Sequence, residues 1–596
     1  MDENFYSQEY IYEPLKEYDR VLRKMHHQNA EKHFDNLAKE AKTDIEANRL
    51  TVKELRELER KEKQTKKKHG NLNGLRIFLV VFLIISVAVS IYLITLLTAW
   101  PIVGGVLLIL AAIGMLVLIF KVINPKIKKL KELHEELLIK IDEKLKEAWS
   151  QMETLNRLFK VEMAQELFQK TLPLIKLDKT FDSRRLEYLI KKFGLYKDDD
   201  RDRSTLYVQS GDINGNPFFI SDNLYHRLGT KSYSGSITIT WTTTGTDSKG
   251  RITTRHHSQV LTATVVKPCP YYATQPFLVY GNEAAPDLIF TRTDSDAEIM
   301  TDKQIEKHVN REMKRIRKKA EKDPNAITIL GNEEFEILWH AHNRNNEVQF
   351  RLLFTVLAQR ELLLLMKDKK IGFGDDFNFV KDRMINMIFP EHLKQLDLTI
   401  RDSYYHGYEF EEVKRRFVNY QNKFFKHIYF TFAPILAIPL YQQHKPHEYI
   451  YSDLYDSYVS FYEHEKVANF IGEHEFKHPL SKTRNILKTS TVKSGNYCDY
   501  VTVSAYGYET IPRTDFVTKL GGDGRMHTIP VHWIEYIPVV QETDIEINVP
   551  KEEKELTYEQ RFRQMFEDLK ERNIDQEKVF KLSTFLVLLK ERERED

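Results

Sequence analysis

Between Ile77 and Phe120 the chain runs for 44 residues without a charge (IFLVVFLIISVAVSIYLITLLTAWPIVGGVLLILAAIGMLVLIF). One crossing of a hydrocarbon core takes about 20 helical residues. The run is therefore too long for one straight span and right for two. Proline lacks the backbone N–H and disfavours helical geometry in the residue before it. Trp100-Pro101, with Gly104 and Gly105 close behind, therefore predicts a tight break. The expected helices cover about 75–98 and about 102–123, with Trp100 at the far interface, where amphipathic rings are favoured.

The flanks orient this hairpin. Arg60, Lys61, Lys63, Lys66, Lys67, Lys68 and Arg76 precede it against one acid, Glu62, and Lys121, Lys126, Lys128, Lys129 and Lys131 follow it. An excess of cations beside a span marks the cytoplasmic side. The expectation is a cell-membrane protein with two spans and both termini cytoplasmic. The same cations can snorkel and attract anionic headgroups. The alternative is a buried hairpin in the core of a large soluble protein. A cleaved signal peptide does not fit, because the run starts too late.

Composition narrows the rest. Of 596 residues, 42% are apolar and 30% charged, with a net charge of +2. That excludes wholesale disorder and a globally basic nucleic-acid binder. Length alone suggests roughly four domain-sized units. Two cysteines, Cys269 and Cys498, make no disulfide framework and no CxxC zinc pair, which fits a thiol-reducing compartment.

Residues 1–21 are rich in tyrosine and acids, and a loose segment is expected there. From about 22 to 68, Ala30, Phe34, Leu37, Ala41, Ile45, Asn48, Val52 and Leu55 recur at spacings of three and four, the signature of a helical seam. Leu130, Leu133, Leu137, Ile141, Leu145, Ala148, Met152, Leu155, Phe159 and Met163 repeat that pattern to about residue 170. Because a hairpin ties the two segments together, they are expected to pair as an antiparallel coiled-coil stalk; another subunit is the alternative partner for each seam. Beyond Leu172-Pro173 a short helix at 181–196 is followed by strand periodicity. Asn214-Gly215 between apolar arms predicts one hairpin, and 236–266 a second. Helices are expected at 296–322, 333–368, 406–430 and 446–478, a buried irregular segment at 432–441, strands at 498–540, and two tail helices at 557–572 and 575–593. The fold class is α+β, with expected boundaries at 1–70 (N-terminal segment and stalk helix), 71–124 (membrane hairpin), 125–178 (second stalk helix), 179–370 and 371–545 (two α+β domains) and 546–596 (acidic linker and helical tail).

Two stretches, TTTGTDSKGRITTRHH (242–257) and EEFEILWHAHNRNNEVQFRLLFTVLAQRELLLLMKD (333–368), resemble the signature regions of an uncharacterised bacterial membrane-protein family. Glu334, Phe335, Glu336 and Arg351 occupy the places of its motif. Trp339-His340 depart from it, standing where phenylalanine and a small apolar residue are expected. The resemblance covers about 180–370. The part after 371, with IYFTFAPILAIPLYQQHKP, looks like an extension in relatives from wall-less bacteria. It implies a paired-helix anchor and an α+β cytosolic domain, and supplies no catalytic residues.

His474-Glu475-Phe476-Lys477-His478 matches HExxH. On a helix that spacing puts two imidazoles on one face for zinc, with the glutamate as general base. Pro479 ends any helix there, Lys477 places a cation inside the motif, and no third ligand follows at family spacing. His464, with His444 and His447, is the nearest addition to a metal cluster. His256-His257 read as exposed strand residues. Gly372–Asp376 and Gly521–Gly524 read as turns, since no lysine or strand-turn-helix setting makes either a phosphate loop. Tyr404, Tyr405, Tyr408, Tyr420 and Tyr429 near Arg415 and Arg416, and the basic stretch Arg311–Lys319, read as core plus solvated faces rather than a base-stacking surface. The expected function is a membrane-anchored cytosolic scaffold that binds other proteins or itself, with no catalysis, cofactor, nucleic acid or small-molecule ligand. The alternatives are a zinc-dependent membrane hydrolase using His474, Glu475 and His478, and a regulatory subunit of a transporter.

Overall fold

The computed structural model describes residues 9–95, 99–178, 180–196, 202–246, 250–322, 329–445, 461–495, 497–549, 558–570, 579–582 and 585–590. It is a mixed α+β protein with two compact units. One comprises Met1–Asn29, Val161–Ile400 and Gln421–Asp596; the other comprises Ala30–Lys160 and Arg401–Tyr420.

The chain enters through α1 (Pro14–Glu17), a π-helical turn (Tyr18–Leu22) and α2 (Arg23–Glu40). From residue 9 onward the segment expected to be loose is packed, and residues 1–8 lie outside the described residues. Ile11, Leu15, Tyr18 and Leu22 are buried; Tyr18 packs 5.2 Å from Tyr429 and 4.9 Å from Phe430, and Tyr429 donates to the Pro14 carbonyl at 2.7 Å. Burial of these apolar side chains outweighs the ordering entropy that the polar composition suggested would win.

In the second unit the helix expected over 22–68 is broken. Lys42 takes φ +51°, and Asp44 Oδ1 caps the next helix by accepting from the Ala47 N–H at 2.9 Å. Then α3 (Ile45–Thr95) runs unbroken for 51 residues. The helices α4 (Ala99–Leu118) and α5 (Asn124–Leu158) follow, joined by a π-helical turn at Ile119–Ile123. Trp100-Pro101 lie in the first described turn of α4, and residues 96–98, between α3 and α4, lie outside the described residues. Proline is tolerated there because the first-turn N–H groups have no intrahelical acceptor.

Two helices are long and apolar enough to cross a membrane, and their apolar windows are 11% and 17% buried. A core helix would hide those side chains; here Ile77, Phe78, Ile84, Ile91, Leu107, Leu110 and Phe120 face outward, which counts against the buried-hairpin alternative. The buried positions among the described residues of the apolar stretch up to Leu118 are small ones, Ser86, Ser90 and Ala112, the type that lets helices approach closely in lipid. Both serine hydroxyls donate to carbonyls four residues back.

Below this stretch α3 and α5 run antiparallel. His134 lies 3.4 Å from Glu62, Lys144 2.9 Å from Glu54, and Gln151 donates to Thr51 Oγ1 at 3.0 Å. Phe34, Phe159, Phe410 and Phe417 form the aromatic core, with ring centroids 5.4–6.0 Å apart from Phe34. Asn48, placed by periodicity in an apolar seam, is buried for another reason. It donates to the Tyr408 carbonyl at 2.9 Å and accepts from the Phe410 N–H at 3.0 Å. Asn156 holds Gly407 in the same two-handed way. Asn48→Leu is expected to cost about 2 kcal/mol, because it strands two buried backbone groups; thermal unfolding of the full chain in detergent measures it.

The seam ends at Leu158 rather than near 170. A separate helix, α6 (Met163–Thr171), begins the sheet unit, followed by β1 (Ile175–Leu177), α7 (Ser183–Lys191), β2 (Arg203–Ile213), β3 (Asn216–Thr246), β4 (Ile252–Gly281) and β5 (Ile289–Arg292). Next come α8 (Asp302–Lys322), α9 (Glu333–Trp339), α10 (Glu347–Leu353), α11 (Val356–Lys367), β6 (Phe377–Asp382) and β7 (Ile385–Pro390). Then follow α12 (Phe410–Leu436), α13 (Phe461–Ile471), β8 (Ile486–Ser494), β9 (Cys498–Leu520), β10 (Met526–Asn548), α14 (Tyr558–Lys570), β11 (Val579–Lys581) and β12 (Leu586–Lys590).

Seven strands form one sheet in the order β1-β2-β3-β4-β7-β6-β5, and five form another in the order β11-β12-β10-β9-β8. Asn214 and Gly215, at φ +50° and +83°, make the hairpin between β2 and β3. The two hairpins read from the sequence share β3, a single 31-residue strand. Beyond the sheets, β3/β4 and β9/β10 continue as two ribbons packed face to face on Ile239, Leu261, Ala263, Ile529 and Val531. A β-carbon at Gly235 would lie 2.1 Å from the Pro530 carbonyl oxygen, so only glycine permits this approach.

Several boundaries move. The sheet passes through residue 370, since β6 and β7 pair with β5 and β4. The segment 333–368 is three helices, separated where His340 adopts φ +54° and restarted by side-chain caps from Asn346 and Thr355. The segment 432–441 is buried, but it is helical through Leu436 despite Pro434. The second tail helix is absent. Its described residues are β11 and β12, and β12 pairs with β10; Leu586, Val587 and Leu588 are all buried, so a continuous apolar run became a strand covered on both faces. The tip residues 247–249, the first part of the 446–478 helix (446–460) and most of the acidic linker (550–557) lie outside the described residues.

Candidate functional site

The HExxH residues do not share a helix face. Gly472, at φ +121°, ends α13. Glu473–Glu475 then form a single 3-10 turn. Phe476 turns into the core of the five-stranded sheet. His474 is exposed 3.2 Å from Glu475, and His478 Nδ1 accepts from the Leu480 N–H at 3.2 Å. Zinc chemistry needs the two imidazoles converging at helical spacing, and Pro479 with Gly472 denies them a helix. Among the described residues no group of three or more His, Cys, Asp or Glu could hold a metal ion. His444 is exposed and His447 lies outside the described residues.

His464 does something else. It is buried on α13, with Nε2 3.0 Å from Asp499 Oδ2 and Nδ1 3.4 Å from Thr491 Oγ1. Asp499 Oδ1 accepts from Ser494. Hydroxyl, imidazole and carboxylate stand in the order of a nucleophile, base and orienting group. The hydroxyl–imidazole distance, however, is at the outer limit of hydrogen bonding, and Thr491 sits on the outermost strand, β8. What the arrangement accomplishes is to latch β8 onto α13. Asp499 and Thr491 carry no local sequence signal, because 35 and 27 residues separate them from His464.

Lys381 is a buried amine without a hydrogen-bonded carboxylate. Its Nζ donates to the Ala284 and Arg383 carbonyls at 3.1 and 2.5 Å, and burial lowers its pKa to about 7. Such amines serve as bases and Schiff-base formers when a substrate can reach them. This one is fully enclosed, so it pins the β6–β7 turn.

The residues that carry the family resemblance also do structural work. Glu334 pairs with Lys367, Phe335 stacks on Trp339 at 5.5 Å, and Glu336 holds Arg344 through two bonds of 2.7 and 3.0 Å. Arg351 donates to the Ile329 carbonyl. The paired histidines separate: His257 bonds Thr243 at 2.8 Å and stacks on Trp241.

Among the described residues, two open surfaces bear on function. In the helical unit a cleft of about 840 Å³ lies between α3 and the start of α12, lined by Arg49, Lys53, Arg56, Arg60, Glu409 and Phe410. Arg56 grips both Glu409 oxygens there at 2.6 and 2.7 Å. In the sheet unit the distal β9/β10 ribbon presents an outer face on which apolar rungs alternate with the polar rungs Thr518–Thr528 and Thr514–His532. Leu520 pairs with Met526, Phe516 with Pro530 and Pro512 with Ile534, three rungs on one side of the strands. Phe516, Leu520 and Met526 are 71%, 64% and 63% exposed.

No family model, no curated protein and no solved structure matches the chain.

Proposed function

We propose that the protein is a membrane-anchored cytosolic scaffold that binds other proteins. In this reading the two apolar helices cross the cell membrane with both termini in the cytoplasm, and α3 and α5 below it form an antiparallel coiled-coil stalk. The resemblance to the two-helix bacterial family agrees with that layout. The observation that carries the scaffold reading is the outer face of the β9/β10 ribbon, three apolar rungs held in the open by a stacked double ribbon. Exposed apolar patches of this kind mark interaction sites. The hydrolase alternative loses its support with the dispersal of His474, Glu475 and His478.

The test is affinity purification of the full chain in mild detergent, beside a Phe516→Asp/Leu520→Asp variant and Glu475→Gln. The double variant is expected to lose its co-purifying proteins by about tenfold or more, and Glu475→Gln to lose none. An identical set from the double variant, or stoichiometric zinc with turnover abolished by Glu475→Gln, overturns the proposal.

A further inference from the structure

In the sequence the basic flanks lie at opposite ends of the 44-residue apolar run. In the structure they come level. The contacts Asn48–Gln151, Glu54–Lys144 and Glu62–His134 set an antiparallel register. Carried toward the apolar stretch, that register places Lys66, Lys67 and Lys68 beside the segment Lys128–Leu130, and Leu75 beside Lys121. Contacts between α3 and the π-helical turn Ile119–Ile123 continue it. The two flanks thus become one belt. From Lys63 to Arg76 it is about 20 Å deep along the helix axis, directly under the apolar helices.

The belt carries little counter-charge of its own. Lys63, Lys66, Lys67, Lys68, Lys121, Lys126 and Lys129 are exposed and form no ion pair among the described residues. Lys128 and Lys131 have carboxylates at 4.0 and 3.8 Å, both exposed, and such pairs hold weakly. α3 runs on through the belt, and on the other side helical backbone continues from the π-helical turn Ile119–Ile123 into α5. Cations this close repel one another within a screening length of about 8–10 Å. Long lysine stems on an apolar border can lift their ammonium groups into the headgroup layer.

We propose that this belt binds the phosphate groups of anionic lipids in the leaflet it borders. The inference rests on the membrane-spanning reading and deepens it: the flanks would select lipid as well as set orientation.

The full chain, purified in mild detergent and stripped of lipid, is titrated by native mass spectrometry with phosphatidylglycerol and with phosphatidylcholine of the same acyl chains. Phosphatidylglycerol is expected to bind more tightly by at least about tenfold, with the preference shrinking as salt rises. Replacing Lys66, Lys67, Lys68, Lys126, Lys128 and Lys129 by glutamine is expected to abolish the preference, and replacing them by arginine to keep it. Free glycerol phosphate at millimolar concentration is expected not to displace the lipid. Equal binding of the two lipids, a preference that survives glutamine substitution, or displacement by glycerol phosphate overturns the proposal. Carbonate extraction of membranes, run in parallel on every variant, separates the two readings. A chain released by carbonate overturns the membrane anchor itself; a retained chain without lipid preference overturns the belt alone.

Discussion

Replacing Asp375 with alanine is expected to destabilise the sheet unit by about 3–5 kcal/mol, the cost of leaving a buried charge without its partner. Arg292, on β5, and Asp375 are both fully buried and paired. The guanidinium lies between two rings, 4.9 Å from the centre of Trp339 and 4.4 Å from that of Phe377, and Nη1 donates to the Phe377 carbonyl at 2.6 Å. Asp375 Oδ2 also accepts from the Ser295 N–H and hydroxyl at 2.8 and 2.6 Å. Without the carboxylate, water cannot reach the cation through those rings. A buried pair exchanged whole for apolar groups of similar volume is often near neutral, so Arg292→Met/Asp375→Leu is expected to recover most of the loss. Thermal unfolding of the full chain in detergent, with amide exchange followed in β5 and β6, measures both. A loss below about 1 kcal/mol for Asp375→Ala would contradict the account.

The second large effect is acid lability. Burial drives the His26 pKa from 6.5 down to about 3. Its ring stacks on Phe425 at 4.2 Å and bonds Thr171 and the Gln421 carbonyl. His427 falls to about 4 for the same reason. Both are neutral when folded, whereas an unfolded histidine takes a proton below about pH 6.5. The unfolded state therefore binds more protons between pH 6.5 and the folded values, and stability falls with pH across that window. Asp222 works the other way: burial raises it to about 6, so it gains stability as pH falls toward 3.8. Two histidines against one aspartate leave a net loss of about 3 kcal/mol between pH 6.5 and 4.5. His26→Gln cannot take the charge and is expected to remove most of the slope, because His427 is then opposed by Asp222 alone. Unfolding midpoints at half-unit pH steps test this; an unchanged slope in the variant rules out His26 as the cause.

The positions read wrongly share a cause. Asn48 fell at an apolar spacing, and the helix end it holds lies some 360 residues away. His464 was visible as a histidine, but its partners became neighbours only when β8 and β9 closed against α13. The HExxH string was legible, and so was the Pro479 that counts against it; the turn that disperses it depends on burying Phe476 in the sheet core. The Leu586–Lys590 strand read as helix because an apolar run of that length fits either element until a partner strand is present.

From the sequence alone came the two apolar helices, the Asn214-Gly215 hairpin, the α+β class and the basic flanks, all set by local chemistry: hydrocarbon length, φ preference and side-chain period. Tertiary structure alone decided that one strand serves two hairpins, that the sheet runs through residue 370, and that two long ribbons stack through Gly235. Those outcomes depend on contacts between residues far apart in the chain, and such contacts leave no periodic mark on the residues that make them.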